Sequence, residues 1–504
     1  MQSEATQNAI VMLDGRIAET QATLGYFIQT ARRFEGRLLS LQRQRNSFTN
    51  QLAPISSLPN ELLSAIFEYG HLSSPLWTRP PIEIVLSHIN QRFRDVALNT
   101  QSLWTRIEVF FCTPFNKVVA YLHRSGTSPL DLHLDIHMDI DSSSNSQLEP
   151  DSHIYTIAEW ETIMSHMSRC RHISVRCNKT YVVDDIIVSL RTVYAPVLQS
   201  LKIECPNNNG RVAARQGPYG KIFDGGAPAL TVVRLDEWAL QRCLPPLSGV
   251  TSLTLVQATW GIAWPDLRDV LHGCLALTCL VIRDIFLVNV PNSSESSIIL
   301  PSLKFLHLFP DAYGETHIER ILVAISAPVL ETLTINDISE DILVDFSQLQ
   351  NSDHFPCLRY LSVSLYEGEA ISRESWILFC SVFPRIVHFE LRSEVYETAG
   401  AETLILALAY SPAEGASSTA PLILPELHML SFSHIDVPTS VLLCDLVSKR
   451  HTAGWPLRLL QLPAVILHHH DGALARSLGR LQALIEVNEY QLDENLVESA
   501  LNSE

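Results

Sequence analysis

Apolar residues recur along the first fifty positions at alternating steps of three and four: Ile10, Leu13, Ile17, Thr20, Leu24, Phe27, Ala31, Phe34, Leu38, Leu41, Arg45, Phe48 and Leu52. Such spacing is a heptad seam and predicts one long helix. Inside it, Gly15, Gly25 and Gly36 each cost about 1 kcal/mol against Ala, and Thr20 and Arg45 fit a seam poorly. Two readings stay open: a coiled coil joining residues 10–52 to a second copy or another partner, and a long amphipathic helix folded back on the body. Further on, Pro59 suits a first helical position and Glu61 favours a helix start. Leu62, Leu63, Ile66 and Phe67 then share one broad apolar face, with Gly70 as the expected stop. After the Pro80-Pro81 break, Ile84, Val85, Ile89, Phe93, Val96 and Ala97 predict two more short helices. A segment of about fifty residues is marginal alone, so part of its apolar face needs cover from a partner or from the rest of the chain.

Downstream the pattern x-Leu-x-x-Leu-x-Leu repeats as Leu198/Leu201/Ile203, Leu230/Val233/Leu235, Val250/Leu253/Leu255, Leu277/Leu280/Ile282, Leu303/Leu306/Leu308, Leu330/Leu333/Ile335, Leu358/Leu361/Val363, Ile386/Phe389/Leu391, Leu427/Leu430/Phe432 and Leu457/Leu460/Leu462, with Cys170/Ile173/Val175 as a candidate eleventh. Each unit reads as a short strand. Helix-like stretches lie between them at 184–194, 315–326, 373–382, 402–409 and 440–450, several ending before an x-Pro step. A unit of this kind buries its face only against its neighbours, so the units are expected to stack into a solenoid. Gly-, Pro-, Ser- or Asn-rich insertions at 207–227, 291–299 and 411–421 read as exposed loops, as does the acidic, Ser-rich piece 135–151.

Residues 54–107 resemble an F-box. The resemblance rests on Leu58-Pro59-x-Glu61-Leu62-Leu63-x-x-Ile66-Phe67, then Ile89-x-x-Arg92-Phe93-Arg94-x-Val96-Ala97, then Leu103-Trp104. It implies docking on a Skp-family adaptor, and through it a cullin, by the positions that match the family's contacts: Leu58, Pro59, Leu62, Leu63, Ile66, Phe67, Ile89 and Phe93. Two departures stand out: Asn90-Gln91 occupies the place of the usual Cys-Arg pair, and the connection from His71 to Pro80 is long. A heptad helix leading into Leu-Pro-x-Glu is similar to the order found in fungal F-box proteins. The later units resemble leucine-rich repeats of an irregular kind. The usual Asn three residues past the last apolar position is absent, with Trp238, Ile285, Asp311 and Ile338 among the residues in its place.

The expected fold is therefore α/β: a coiled-coil-like helix over 1–53, a small three-helix F-box over 54–107, a connector with an acidic loop over 108–168, and a leucine-rich-repeat-like solenoid over 169–504. Composition adjusts this picture only at the edges. A formal net charge of -18 argues against nucleic acid as the main partner, and 46% hydrophobic residues can fill a large core. No apolar run is long enough to span a membrane and no basic leader precedes one. The ten Cys show no Cys-x-x-Cys pair and sit in apolar stretches, which fits reduced thiols in cytoplasm or nucleus.

Catalytic patterns are absent from the sequence: no Gly-x-Ser-x-Gly, no phosphate loop, no His-Glu-x-x-His and no dinucleotide glycines. His468-His469-His470 has no completing ligands, since adjacent residues on an extended segment point to opposite faces, so neither metal nor cofactor is expected. Gly210 to Gly226, with Arg211, Arg215 and Lys221, reads as an anion cradle or as a plain insertion. Strand alternation sends the residue between the two apolar positions, and the one after the second, to the side away from the core. In the middle of that surface Arg283, His307, Phe309 and Asn336 mix an aromatic and an Arg with polar groups, the composition of a protein-binding surface, and form the expected target site. The other reading is that Phe309 caps the core beneath a loop. Together these features are expected of a non-enzymatic receptor that brings an unidentified protein to a ubiquitin ligase, or of an interaction scaffold that binds an adaptor without ubiquitin transfer.

Overall fold

The computed structural model describes residues 2–110, 113–136, 155–178, 180–205, 220–288, 298–309, 318–346, 355–366, 371–392, 399–409, 423–467 and 472–490. The chain is mixed α/β and falls into two compact units, one of residues 1–105 with 123–128 and one of 106–122 with 129–504.

The first unit opens with a 51-residue helix, α1 (Gln2–Leu52). Its seam residues are exposed, and Gly15, Gly25 and Gly36 have open space where a Cβ would stand. Three shorter helices follow: α2 (Asn60–Ser73), α3 (Ile82–Ile89) and α4 (Gln91–Asn99). Contrary to the expected stop, α2 runs past Gly70. A Cβ there would lie 3.0 Å from Ile82 Cδ1, so the glycine serves the close approach of α3. Leu63, Phe67, Phe93, Val96, Ala97, Leu103 and Trp104 make the core of this unit, with the Phe67 and Phe93 rings 5.1 Å apart. Trp104 donates from Nε1 to the Ala97 carbonyl at 2.8 Å, and the Arg124 guanidinium lies 4.4 Å over its ring.

The second unit is built on one sheet of fourteen parallel strands whose spatial order is their order along the chain. They are Arg106–Phe110, Leu130–Ile136, Cys170–Cys177, Ser200–Glu204, Val232–Asp236, Ser252–Ala263, Cys279–Val288, Phe305–Phe309, Thr332–Ile338, Tyr360–Leu365, His388–Arg392, Met429–Phe432, Leu459–Leu462 and Glu486–Glu489. In an order that never reverses, each strand pairs with those before and after it in the sheet's chain order, and crossovers of the usual right hand place the connecting helices on one face. The connecting helices pack on one another in succession, as Glu340–Asp345, Arg373–Val382, Ala399–Leu408 and Val437–Thr452 do. All ten apolar triplets read from the sequence are buried, and so is the eleventh at Cys170.

The sheet reaches beyond the repeat pattern at both ends. Arg106–Phe110 and Leu130–Ile136 lie where a connector was expected, and Ile157–Met164 is a helix there, opened by a Thr156/Glu159 capping box. Leu130, Leu132, Leu134 and Ile136 form strands by strict alternation, a signal that a search for x-Leu-x-x-Leu-x-Leu passes over. Asp135 and Ile136 therefore belong to a strand, while 137–151 lie outside the described residues. Of the first insertion, Gly220–Lys221 pairs with Cys243–Leu244, and Ile222 and Phe223 are buried, so that part is packed structure. Ile298–Ile299 likewise pairs with Ile325–Ser326. Residues 206–219, which include Arg211 and Arg215, together with 291–297, 411–421 and His468-His469-His470, lie outside the described residues.

Where the expected Asn is missing, other groups shape the chain just past the apolar triplet. Asp284 and Asp337 occupy the same place in their repeats and both turn the chain through the left-handed region, at φ 52° and 53°, which Asp tolerates better than most residues. Asp236 accepts from the Cys205 amide of the preceding repeat and from Ala239 N at 2.8 Å, capping the helix Glu237–Arg242. Glu340 bridges repeats in the same manner, accepting from Ser372 N at 2.6 Å and Ser372 Oγ at 2.7 Å.

Candidate functional site

The eight residues of the F-box-like block divide by burial. Leu63, Phe67 and Phe93 are core, so they hold the helices together and present nothing to a partner. Leu62 is 52% exposed, Ile66 47% and Ile89 50%, while Leu58 is half-buried and Pro59 exposed. A broad apolar face read from periodicity is thus two stripes, one inward and one outward. Leu62, Ile66 and Tyr69, at i, i+4 and i+7, share the outward stripe of α2, and Val85 and Ile89 share that of α3. The departure at Asn90 has a local cause: its side chain caps α4, accepting from Phe93 N at 2.8 Å. Arg92 braces the start of the block, donating from Nε to Asn60 Oδ1 at 2.9 Å, from Nη1 to the Ser56 carbonyl at 2.5 Å and from Nη2 to the Leu58 carbonyl. The long connection after α2 is anchored by buried His71 and Glu83, 3.5 Å apart.

On the sheet, the row expected to stand free away from the core is closed in its middle. Thr254, Val281, His307, Thr334, Ser362, Glu390 and Ser431 are all buried. Strands about 4.8 Å apart let the larger side chains of one row shadow the small ones beside them, which alternation along a single strand cannot reveal. His307 is only 4% exposed, and burial together with the Arg392 charge pushes it down to about 4, so its ring is neutral. Arg283 and Phe309 are half-buried and paired, the guanidinium 4.3 Å over the ring. Phe309 is thus covered by a neighbour's charge rather than standing free. Asn336 follows Ile335, the register partner of Leu308, just past the last paired residues of the two strands. Among the described residues, Arg283 Nε, His307 Nδ1, Asn336 Oδ1 and Ser362 Oγ are buried atoms without a hydrogen-bond partner. Native structures leave few such groups, so this patch has unused hydrogen-bonding capacity where Arg283, Phe309 and Asn336 reach the surface.

Towards the C-terminal end the same face carries a closed network that the sequence reading missed. Tyr490 donates from its hydroxyl to buried Glu390, and Arg392 Nε donates to the same carboxylate at 2.5 Å. Burial opposes the charge on Arg392, but Glu390 and Tyr490 outweigh it and hold the guanidinium above its ordinary value. Next to it, His388 Nε2 meets Ser431 Oγ at 2.7 Å, and Ser431 donates to Gln461 Oε1 at 2.8 Å. Nothing in the local pattern joins Glu390 to Tyr490, one hundred residues later; only the register of four adjacent strands does.

Among the described residues, no cluster of His, Cys, Asp or Glu could hold a metal, and no helix is long and apolar enough to cross a membrane. Compared with known family models and with curated proteins, the chain matches none.

Proposed function

We propose that this chain is a non-catalytic substrate receptor of a cullin-RING ubiquitin ligase, with residues 54–107 an F-box docked on a Skp-family adaptor and the later units a leucine-rich-repeat solenoid that captures a protein target. The observation that carries this reading is the split of one motif into two stripes. Leu63, Phe67 and Phe93 fill the core, while Leu62, Ile66 and Ile89 stay uncovered on helices that are already folded. Apolar residues spent on an outward stripe, in a unit this small, fit a partner surface better than a self-contained fold. Catalysis then belongs to other subunits, and this chain supplies proximity. For the target, Arg283, Phe309 and Asn336 supply an aromatic and an Arg beside unpaired polar atoms, with His307 a buried, neutral ring on the neighbouring strand positions.

Affinity purification of the full chain tests the reading. Co-purification of a Skp-family adaptor together with a cullin supports the ligase receptor. Adaptor without cullin favours a scaffold, and recovery of neither adaptor nor cullin overturns the proposal.

A further inference from the structure

We infer that α1 pairs with α1 of a second copy of this chain, antiparallel, with Ile10 facing Phe48, Ile17 facing Leu41, Leu24 facing Phe34 and Phe27 facing Ala31 across the seam. This inference does not rest on the ligase reading; it follows from the helix itself. Nine apolar seam residues from Ile10 to Phe48 are half to two-thirds exposed on a helix that runs unbroken for 51 residues. If each loses about 100 Å² on pairing, two copies together lose roughly 1,800 Å², within the range of a stable interface. The glycines do not interrupt the stripe. Gly15, Gly25 and Gly36 fall on the opposite side of the heptad, where a Cβ meets nothing. Thr20 is also neutralised as a seam residue, because its hydroxyl donates to its own helix at the Arg16 carbonyl, 2.7 Å away.

Charge decides the direction. In α1, residues 2–28 carry three acids (Glu4, Asp14, Glu19) and one Arg (Arg16), whereas residues 29–52 carry five Arg (Arg32, Arg33, Arg37, Arg43, Arg45) and one acid (Glu35). An antiparallel pair lays the acidic half of each copy against the basic half of the other; a parallel pair sets like against like. Volume gives the same answer. The two seam rows differ, one with Ile10, Ile17, Leu24, Ala31, Leu38 and Arg45, the other with Leu13, Thr20, Phe27, Phe34, Leu41 and Phe48. A parallel pair matches each row with itself, so that Phe meets Phe at three levels, Ala31 meets Ala31 and Arg45 meets Arg45. The antiparallel pair matches one row with the other. Every Phe then meets a smaller residue, and Arg45 meets Leu13 with Asp14 beside it. Each α1 leads into a docking block at its C-terminal end, so the two blocks stand about 70 Å apart along the paired helices.

The test uses the full chain, in which no Cys precedes Cys112. Sedimentation gives the mass, and a dimer is expected. Ile10→Cys and Phe48→Cys chains are then mixed, oxidised and mapped by peptide mass spectrometry. A disulfide joining position 10 to position 48 is expected; disulfides of 10 with 10 and 48 with 48 overturn the antiparallel arrangement. Arg45→Glu should weaken the dimer at least tenfold and Asp14→Arg in the same chain should restore it. Failure of that restoration, or a wild-type monomer at every concentration, overturns the pairing. Loss of adaptor co-purification would bear on the ligase proposal and leave these readouts unchanged.

Discussion

Replacing Leu62 and Ile66 by Asp separates a docking face from a core more sharply than any truncation can. About half of each side chain remains for a partner to cover, at 52% and 47% exposure. Full burial of such a residue contributes about 1.5–3 kcal/mol, so the pair offers about 1.5–3 kcal/mol of apolar docking energy. Two carboxylates carried into the same interface add several kcal/mol of desolvation cost. A total near 5 kcal/mol corresponds to a loss of more than a thousandfold, enough to erase a micromolar complex. Titration calorimetry of the full chain with a purified Skp-family adaptor reads the loss, and a thermal melt of the same variant reads the fold, which should be unchanged. Leu63→Asp supplies the contrast: it places a charge inside the core against Phe67 and Phe93 and should abolish the melt of the helical unit along with binding. Wild-type affinity in the Leu62→Asp/Ile66→Asp chain would refute the docking face. A lost melt in that chain would show the stripe to be internal.

Three further outcomes follow from the second unit. Arg450 is fully buried and donates to the carbonyls of Trp455, Ile423 and Leu424, at 3.3, 3.1 and 2.8 Å, while burial pulls its guanidinium down to about 10. Arg450→Met leaves three acceptors unpaired at about 1–3 kcal/mol each, partly offset by removing a charge that burial penalises, so denaturant midpoints should reveal a loss on the order of 3 kcal/mol; a variant as stable as wild type contradicts the bracket. His307 falls from its ordinary value of 6.5 to about 4 on folding, so between these values the unfolded chain binds a proton that the folded chain does not. Stability contributed by the neutral ring is complete above about pH 6.5 and is lost as pH falls towards 4, by on the order of 3 kcal/mol. His307→Gln should flatten the acid limb of a melting-temperature profile, and an unchanged slope counts against it. Among the described cysteines Cys357 is exposed, whereas burial pushes Cys170 and Cys380 up to about 12. Native labelling mapped by mass spectrometry should mark Cys357 and spare those two until unfolding; equal labelling rates would contradict the packing.

What was legible in the sequence was whatever a period can carry. A seam of threes and fours gave α1, and the recurring apolar triplets gave eleven of the fourteen strands, because each triplet buries itself by local alternation. Arg373–Val382 was bounded correctly, its start set by Ser372, which accepts from Ser375 N. Period alone cannot say which half of a wide apolar face turns inward. Leu62 and Leu63 are consecutive and equally apolar, and the approach of α3 and α4 decides between them. Nor can alternation along one strand say whether a residue on the far face stays open. That depends on its neighbours in the sheet, and His307 is closed in while Arg283 reaches the surface beside Phe309.

The polar brackets were the least legible because each joins residues whose proximity exists only in the stacked sheet. Asp236 reaches back thirty-one residues to the Cys205 amide, Glu340 reaches forward to Ser372, and Tyr490 reaches Glu390 across a hundred. Each replaces part of what a regular Asn ladder would do, but at a different repeat position. A single consensus place therefore finds none of them. A ladder of identical side chains would make every repeat alike, whereas brackets placed one by one rigidify the sheet at chosen points. Between the Asp236 and Glu340 brackets lies the stretch that contains Arg283, Phe309 and Asn336, where Arg283 Nε and Asn336 Oδ1 are buried without a hydrogen-bond partner among the described residues. Buried polar atoms of this kind are few in native structures, and four of them, on Arg283, His307, Asn336 and Ser362, lie on four adjacent strands beside the Arg283–Phe309 pair.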